Sequence, residues 1–359
     1  MFLRSRKTKE TVGAVQDRQP AHRLDAQADG AFDSVEELLD RIDTLSRKNR
    51  AAHDPRVERR LLALRHEAGA KLTGRSGADW EYPAPDFGRL PKGSDLPEAF
   101  PGDLTPGLLR AAILDSGCLL ARGLLDAGQT GRLVEAIDRA FEARQRYWSG
   151  RSPDSAYYEE FEPDPRFNLP SFQRRWVQAG GGLWTADSPR VMFDMLDAFE
   201  RSGLMRLATE YLGERPAIAV NKCTLRRVKP DTGKGLSLWH QDGAFLGTVR
   251  ALNVWLSLSH CGDSAPGLDI VPRRIDRVLP TGTEGSVFDW SVSQAVAEEA
   301  AGDVGIVRPI FEPGDVLLFD DLFLHATAAE PEMPNERYAI ESWFFGPSGF
   351  PSNYAPLAV

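Results

Sequence analysis

Hydrophobic positions are spaced unevenly along this chain, and the spacing changes character twice. The first 31 positions are polar and aperiodic, which predicts a disordered tail. Ser34 with Glu37 forms a capping box that opens a helix to about Lys48, with Leu38, Leu39, Ile42 and Leu45 as its apolar stripe. A second helix is predicted over about 56–70 around Leu61, Leu62 and Leu64. Residues 81–102 are rich in proline, glycine and aspartate and predict an ordered loop or linker. Residues 32–102 thus form a helical extension with a linker.

Thr105-Pro106 is an N-cap followed by proline at the first helical position, and that helix stops at Gly117. A strand follows over Cys118–Leu125. Asp126 then caps an amphipathic helix carrying Leu133, Ile137 and Phe141. Residues 149–187 are irregular and aromatic-rich, and Ser188-Pro189 starts a helix that closes at Gly213. Beyond Gly213, short β-branched runs alternate with glycine, proline and aspartate turns. They predict strands near 217–228, 236–240, 250–258, 267–272, 304–311, 315–320, 324–328 and 337–345. Residues 281–303 read as an insertion, a lid or partly helical crossover. Helices first and strands second give an α+β chain whose strands suit a sandwich or jelly roll. Its main domain spans 103–346, with a C-terminal tail over 347–359.

Composition narrows the function classes. Hydrophobic residues make up 42% of the 359, ample for a sizeable core, and no run of about 18 apolar residues occurs to span a membrane. A net charge of −9 disfavours a phosphate backbone as partner. Arg226, Arg227 and Lys229 form a local basic patch that reads more readily as a solvated strand end than as an anion site. Three scattered cysteines, Cys118, Cys223 and Cys261, give neither a disulfide framework nor a zinc knuckle and fit a reducing cytoplasm. The basic first residues lack the apolar core of a secretory signal.

With only six histidines, each can be weighed. His22, His53, His66 and His260 have ordinary polar neighbours and read as solvated or capping. His240 and Asp242 are two apart in Trp239-His240-Gln241-Asp242, so on an extended strand both point to one side. Alone that pair is weak. His325 adds specificity, since it follows the Pro313-Gly314-Asp315 turn, a buried strand and a return at Asp320-Asp321. Two imidazoles and a carboxylate make a facial triad with open positions, which suit iron(II), a chelating ketoacid and dioxygen; zinc on such ligands is more often hydrolytic. Arg337 lies twelve residues after His325, and its guanidinium has the geometry to grip the far carboxylate of 2-oxoglutarate. Thr327, two beyond His325, shares that side and can add a hydroxyl.

In this order the motifs resemble the phytanoyl-CoA dioxygenase family of iron(II)/2-oxoglutarate oxygenases. The likeness runs from Leu104-Thr105-Pro106 through Lys229-Pro230-Asp231, Asn253-Val-Trp255, Ala265-Pro-Gly-Leu268, Pro313-Gly314-Asp315 and Leu324-His325-Ala326-Thr327, over about residues 103–346. It implies a double-stranded β-helix, or jelly roll, with flanking helices. It implies Fe(II) held by His240, Asp242 and His325, and 2-oxoglutarate held by Arg337 and Thr327. Trp255 would contact the cosubstrate, though core packing explains it equally well; Leu225 would sit beside it and Asn253 would bond the ketoacid. O2 would be the other cosubstrate. The activity implied is hydroxylation of an unactivated carbon of a small metabolite or natural-product intermediate, with release of succinate and CO2. A CoA thioester is the second choice of substrate. The carboxylate of Asp242 argues against halogenation, which goes with a small residue there in halogenating relatives. Where the family often has Pro-Gly-Ser-His, this chain reads Pro272-Arg273-Arg274-Ile275, and the extension before 103 is additional. A cupin-type metalloenzyme that is not an oxygenase would use the same triad without needing Arg337. A non-catalytic member of the family would bind no metal.

Overall fold

The computed structural model describes residues 32, 34–73, 81–91, 93, 96–167, 169–231 and 238–359. The tail expected over 1–31 lies outside the described residues. The extension forms two helices, α1 (Val35–Ala51) and α2 (Pro55–Leu72). Ser34 accepts a hydrogen bond from Glu37 N and Asp54 from Arg56 N, so each helix starts where a side chain satisfies a free N–H, worth about 1 kcal/mol each. Within the expected linker, Glu98–Ala99 is a short strand, β1.

The elements that follow are α3 (Pro106–Ser116), β2 (Cys118–Ala121), α4 (Ala127–Trp148), α5 (Ser171–Ala179), β3 (Gly182–Trp184), α6 (Pro189–Arg201), α7 (Leu204–Leu212), β4 (Ala217–Val228) and α8 (Gly243–Leu246). After them come β5 (Ala251–Ser257), β6 (Gly267–Ile270), α9 (Gln294–Ala301), β7 (Val316–Phe319), β8 (His325–Ala328), β9 (Arg337–Phe345) and β10 (Pro356–Ala358). Three expectations change. The irregular stretch 149–187 contains α5 and β3. The helix expected from Pro189 to Gly213 breaks at Gly203, whose φ is +80°. The C-terminal residues are not a loose tail: β10 pairs antiparallel with β4, Leu357 opposite Ile218.

A large sheet has the order β1-β2-β7-β5-β9-β4-β10, with β3 also on β4; β6 and β8 form a small antiparallel sheet. Isolated bridges extend the small sheet on both sides. His240 pairs with His325, Trp239 with Val292, and Ile270 with Val307. The segments expected as strands near 236–240 and 304–311 therefore contribute single bridges, and 232–237 lie outside the described residues.

Strand alternation sorts the large sheet into two cores. Leu252, Val254 and Leu256 of β5, Val316 and Leu318 of β7, and Ile340 and Phe344 of β9 face the helices. Ala251 and Trp255, Leu317 and Phe319, and Trp343 and Phe345 face the other way and pack with Leu268 and Ile270 of the small sheet. Burial on both faces explains why these strands read as continuous apolar runs. The site lies in this second, inter-sheet layer. The outer face of the small sheet, with Trp239, Leu324 and Ala326, is covered by Ala297 and Ala301 of α9, so the insertion 281–303 serves as its helical cover.

The Pro313-Gly314-Asp315 turn sets the register of β7. Asp315 accepts from Gly123 N at 2.8 Å, Glu312 N at 2.9 Å and Arg122 Nη1 at 2.6 Å, and Arg122 also grips Glu98. Gly314 has φ +97°, and a Cβ there would run into the Leu125 carbonyl. Gly314→Ala is expected to lower unfolding stability by about 2 kcal/mol or more, read as a shifted denaturant midpoint with unchanged slope. An unshifted midpoint would show that the turn tolerates a side chain.

Candidate metal centre

The centre is built on one pair of backbone hydrogen bonds. His240 N donates to His325 O at 3.0 Å and His325 N to His240 O at 3.1 Å, so the two residues sit directly opposite each other across the small sheet. Side chains of an opposed pair leave on the same face, and the two imidazole centroids are 4.3 Å apart. Asp242 follows His240 at the start of α8, and its carboxylate closes the group. Asp242 Oδ2 is 3.9 Å from Nε2 of His240 and 3.9 Å from Nε2 of His325. One ligand atom from each residue lies within 4.8 Å of the others. Ligand bonds of about 2.1 Å place the donors of one ion about 3–4 Å apart, so a small inward adjustment suffices.

The tautomers are set by backbone carbonyls. His240 Nδ1–H donates to Leu238 O at 2.8 Å and His325 Nδ1–H to Phe323 O at 3.1 Å. A carbonyl can only accept, so each Nδ1 carries a proton and Nε2 is the ring nitrogen that faces Asp242 and is left to ligate. His325 is buried, and desolvation together with the neighbouring His240 pushes its pKa down to about 4. Burial pushes Asp242 upward, but Lys222, His240 and His325 together outweigh it and hold the carboxyl below its ordinary value.

Sequence reasoning missed Lys222. Its Nζ donates to Asp242 Oδ1 at 3.0 Å and lies 3.9 Å from the centroid of the Phe245 ring. Asp242 Oδ2 is buried and has no partner, which leaves that oxygen for an ion. Glu341 was missed as well: it accepts from Arg226 Nη2 at 2.9 Å and from the Thr224 hydroxyl at 3.3 Å. One signal was available, the polar residues Lys222, Thr224 and Arg226 at every second position of β4, interleaved with the buried Cys223 and Leu225.

Arg337 begins β9 and is 3% exposed. Nη1 donates to Gly267 O at 2.8 Å, its Cζ stands 5.5 Å from the Trp255 ring centroid, and Nε is buried without a partner. No carboxylate forms an ion pair with it among the described residues, and burial pushes its pKa down to about 10. Asn253 is likewise buried, with neither amide atom bonded, between Phe319 and Trp343 on the inner face. Thr327, opposite Leu268, shares the His325 side of β8 and is exposed. Leu225 is a correction. It pairs with Ile340 and packs in the helix-side core, because alternation turns it away from its neighbours Thr224 and Arg226.

The other histidines lie elsewhere. His66 is buried, donating from Nδ1 to Pro356 O at 2.8 Å and accepting from Asp164 N at 2.9 Å, which pins α2 to the core. His260 sits between Asp263 at 2.7 Å and Glu312 at 3.0 Å, and His53 beside Glu58 at 3.3 Å. His22 is outside the described residues. Arg227 pairs with Glu336 at 2.7 Å and Arg274 with Asp320 at 2.6 Å, while Arg273 is exposed. No helix of the described residues is long and apolar enough to cross a membrane.

No protein-family model matches the chain, and no curated protein does. Several solved structures overlap it. AviO1 from Streptomyces viridochromogenes Tue57 is 17% identical over 68% of this chain and 96% of its own, with a TM-score of 0.42. EctD from S. alaskensis, solved with 2-oxoglutarate and 5-hydroxyectoine, is 18% identical over 77% and 89%, with a TM-score of 0.45. SnoK, a non-heme alpha-ketoglutarate-dependent carbocyclase from nogalamycin biosynthesis, is 14% identical over 69% and 86%, with a TM-score of 0.46.

Because His325 titrates near 4 in the folded chain and near its ordinary 6.5 when unfolded, the unfolded state takes up the extra proton between those values. Stability of the metal-free protein is therefore expected to fall as pH drops from 6.5 to 4, and His325→Gln to flatten that slope. Denaturant titrations across the window check it; equal slopes would mean that the His325 imidazole is not held neutral.

Proposed function

We propose that this chain is an iron(II)/2-oxoglutarate-dependent oxygenase that hydroxylates an unactivated carbon of a small organic molecule. The observation that carries the reading is Arg337. A buried guanidinium without an acidic partner in the protein is costly, because breaking or omitting one half of a buried ion pair is worth about 3–5 kcal/mol. Such a group calls for an anion from outside, and a planar guanidinium matches a carboxylate through two parallel hydrogen bonds. Nη1 is already turned to the Gly267 carbonyl, and Nε is free.

In this reading Nε2 of His240, Oδ2 of Asp242 and Nε2 of His325 hold iron(II). The donor set fits: two imidazoles, one carboxylate and no thiolate. Arg337 holds the far carboxylate of 2-oxoglutarate, with Thr327 on the same inward side. Trp255 supports the guanidinium through its ring face. Asn253, whose amide lacks a partner on the inner face, bonds the end of the ketoacid nearer the triad. The metal with its cosubstrate supplies the oxidising power, giving succinate and CO2 as coproducts.

The remaining work belongs to the protein. Lys222 neutralises one oxygen of Asp242 and orients the other. The two carbonyl-bound imidazoles already turn Nε2 toward that carboxylate. The aromatic inter-sheet layer keeps bulk water from the centre. The carboxylate of Asp242 would serve as the third protein ligand, which favours hydroxylation over halogenation.

Two measurements test this. Anaerobic addition of iron(II) and 2-oxoglutarate is expected to give a weak visible charge-transfer band, and aerobic incubation to release succinate. Arg337→Ala is expected to raise the 2-oxoglutarate requirement by roughly two orders of magnitude or more, the loss of a buried charged hydrogen-bond pair. A metal-bound chain with no band at saturating cosubstrate, or an Arg337→Ala variant as active as the parent, would overturn the reading in favour of a metalloenzyme of another class. Lys222→Met is expected to weaken cobalt(II) binding by about 10–100-fold, with Lys222→Arg recovering part of it. Unchanged affinity in Lys222→Met would show that Asp242 is oriented without it.

A further inference from the structure

A file of aromatic rings leads from the triad to the protein surface. Trp290 stands edge-on to the His240 imidazole at 5.8 Å and edge-on to Phe245 at 5.8 Å. Phe288 lies parallel to Trp290, with 5.3 Å between centroids and 9° between planes. Trp176 meets Phe288 edge-on at 5.1 Å and is 52% exposed. The rings come from separate places. Trp176 is on α5, a helix with no buried residue; Phe288 and Trp290 are in the insertion; Phe245 is on α8. Segments 149–187 and 281–303 therefore meet at the Trp176–Phe288 contact.

His240, which the inner end of the file touches, is the member of the triad most open to solvent. The side chain of His240 is 23% exposed, against 10% for His325 and 2% for Asp242. The cations beside the inner end of the file are already matched: Lys222, over the Phe245 ring, is bonded to Asp242, and Arg226 to Glu341. A phosphate or carboxylate on the substrate would find neither free. Flat, rigid ring faces accept a flat partner through stacked or edge-on contacts and offer no tunnel of aliphatic side chains for a flexible acyl tail.

We infer that Trp176, Phe288 and Trp290 form the substrate-binding track, and that the substrate is an uncharged ring-bearing molecule lying with a ring face on it, one edge toward His240. The inference rests on the metal reading above only for the place of reaction, and it displaces a CoA thioester as the second choice. A fused aromatic system and a sugar both present such a face.

Saturation-transfer NMR on the whole 359-residue chain without added metal distinguishes the sources, using naphthalenemethanol, maltotriose and octanoyl-CoA as probes. Transfer is expected to naphthalenemethanol or to maltotriose, and the one that responds identifies an aromatic or a sugar ring. Trp176→Ala and Phe288→Ala are each expected to weaken that probe by up to about tenfold, and His260→Ala, outside the site, to leave it unchanged. Trp176 is largely exposed, so its variant keeps the fold. No transfer to either ring probe, equal binding in both track variants, or a preference for octanoyl-CoA would overturn the track. Loss of metal binding with probe binding intact would sink the metal reading alone.

Discussion

The opposed pairing of His240 and His325 is the constraint on which the rest of the centre depends. Two backbone hydrogen bonds fix the residues face to face, and an antiparallel ladder makes their side chains leave on one side. Everything else is arranged around that pair. The turn at Asp242 brings a carboxylate to both Nε2 atoms, and α9 closes the back of the small sheet. The large sheet supplies Lys222 and Arg337 from across the inter-sheet layer. A slip of one residue in either segment would turn that segment's imidazole toward the packing under α9 and split the pair.

Electrostatics sort the inner face into satisfied and unsatisfied groups. Lys222 with Asp242 and Arg226 with Glu341 are complete within the chain. Arg337, Asn253 and one oxygen of Asp242 are buried without full partners. A folded chain seldom leaves such groups unpaired, since each costs about 1–3 kcal/mol. On the function proposed above, Asp242 awaits a cation and Arg337 a carboxylate; Trp343 Nε1, in the same layer, lacks a partner as well. The charge state of the triad agrees: a neutral His325 and an ionised Asp242 are the forms that bind a metal.

Much of this layout was legible because period-two alternation is unambiguous where a strand is buried. The bounds of β9 coincide with the run 337–345, whereas Asp242 joins His240 from a helical turn at the start of α8 rather than from the extended strand that their spacing suggested. What alternation cannot show is which side faces the site. Leu225 failed on that point, whereas its neighbours Thr224 and Arg226 share the inner face with Glu341. Lys222 was hidden for a further reason, since the pairing of β4 with β9 shifts between Ile218 and Cys223. Helix α5 is only nine residues long and none of its apolar residues Phe172, Trp176 and Val177 is buried, so nothing set it apart from the aromatic-rich stretch around it. Strand β10 is three residues long, too short for a pattern, and only its pairing with β4 reveals it.

The most direct test of the central claim is anaerobic cobalt(II) titration of the parent chain and of His240→Ala, Asp242→Ala, His325→Ala and His260→Ala. The expected result is one ion per chain in the parent and in His260→Ala, with binding abolished or greatly weakened in the other three. Retention of tight stoichiometric binding by His325→Ala would contradict it, because the two imidazoles would then not share an ion.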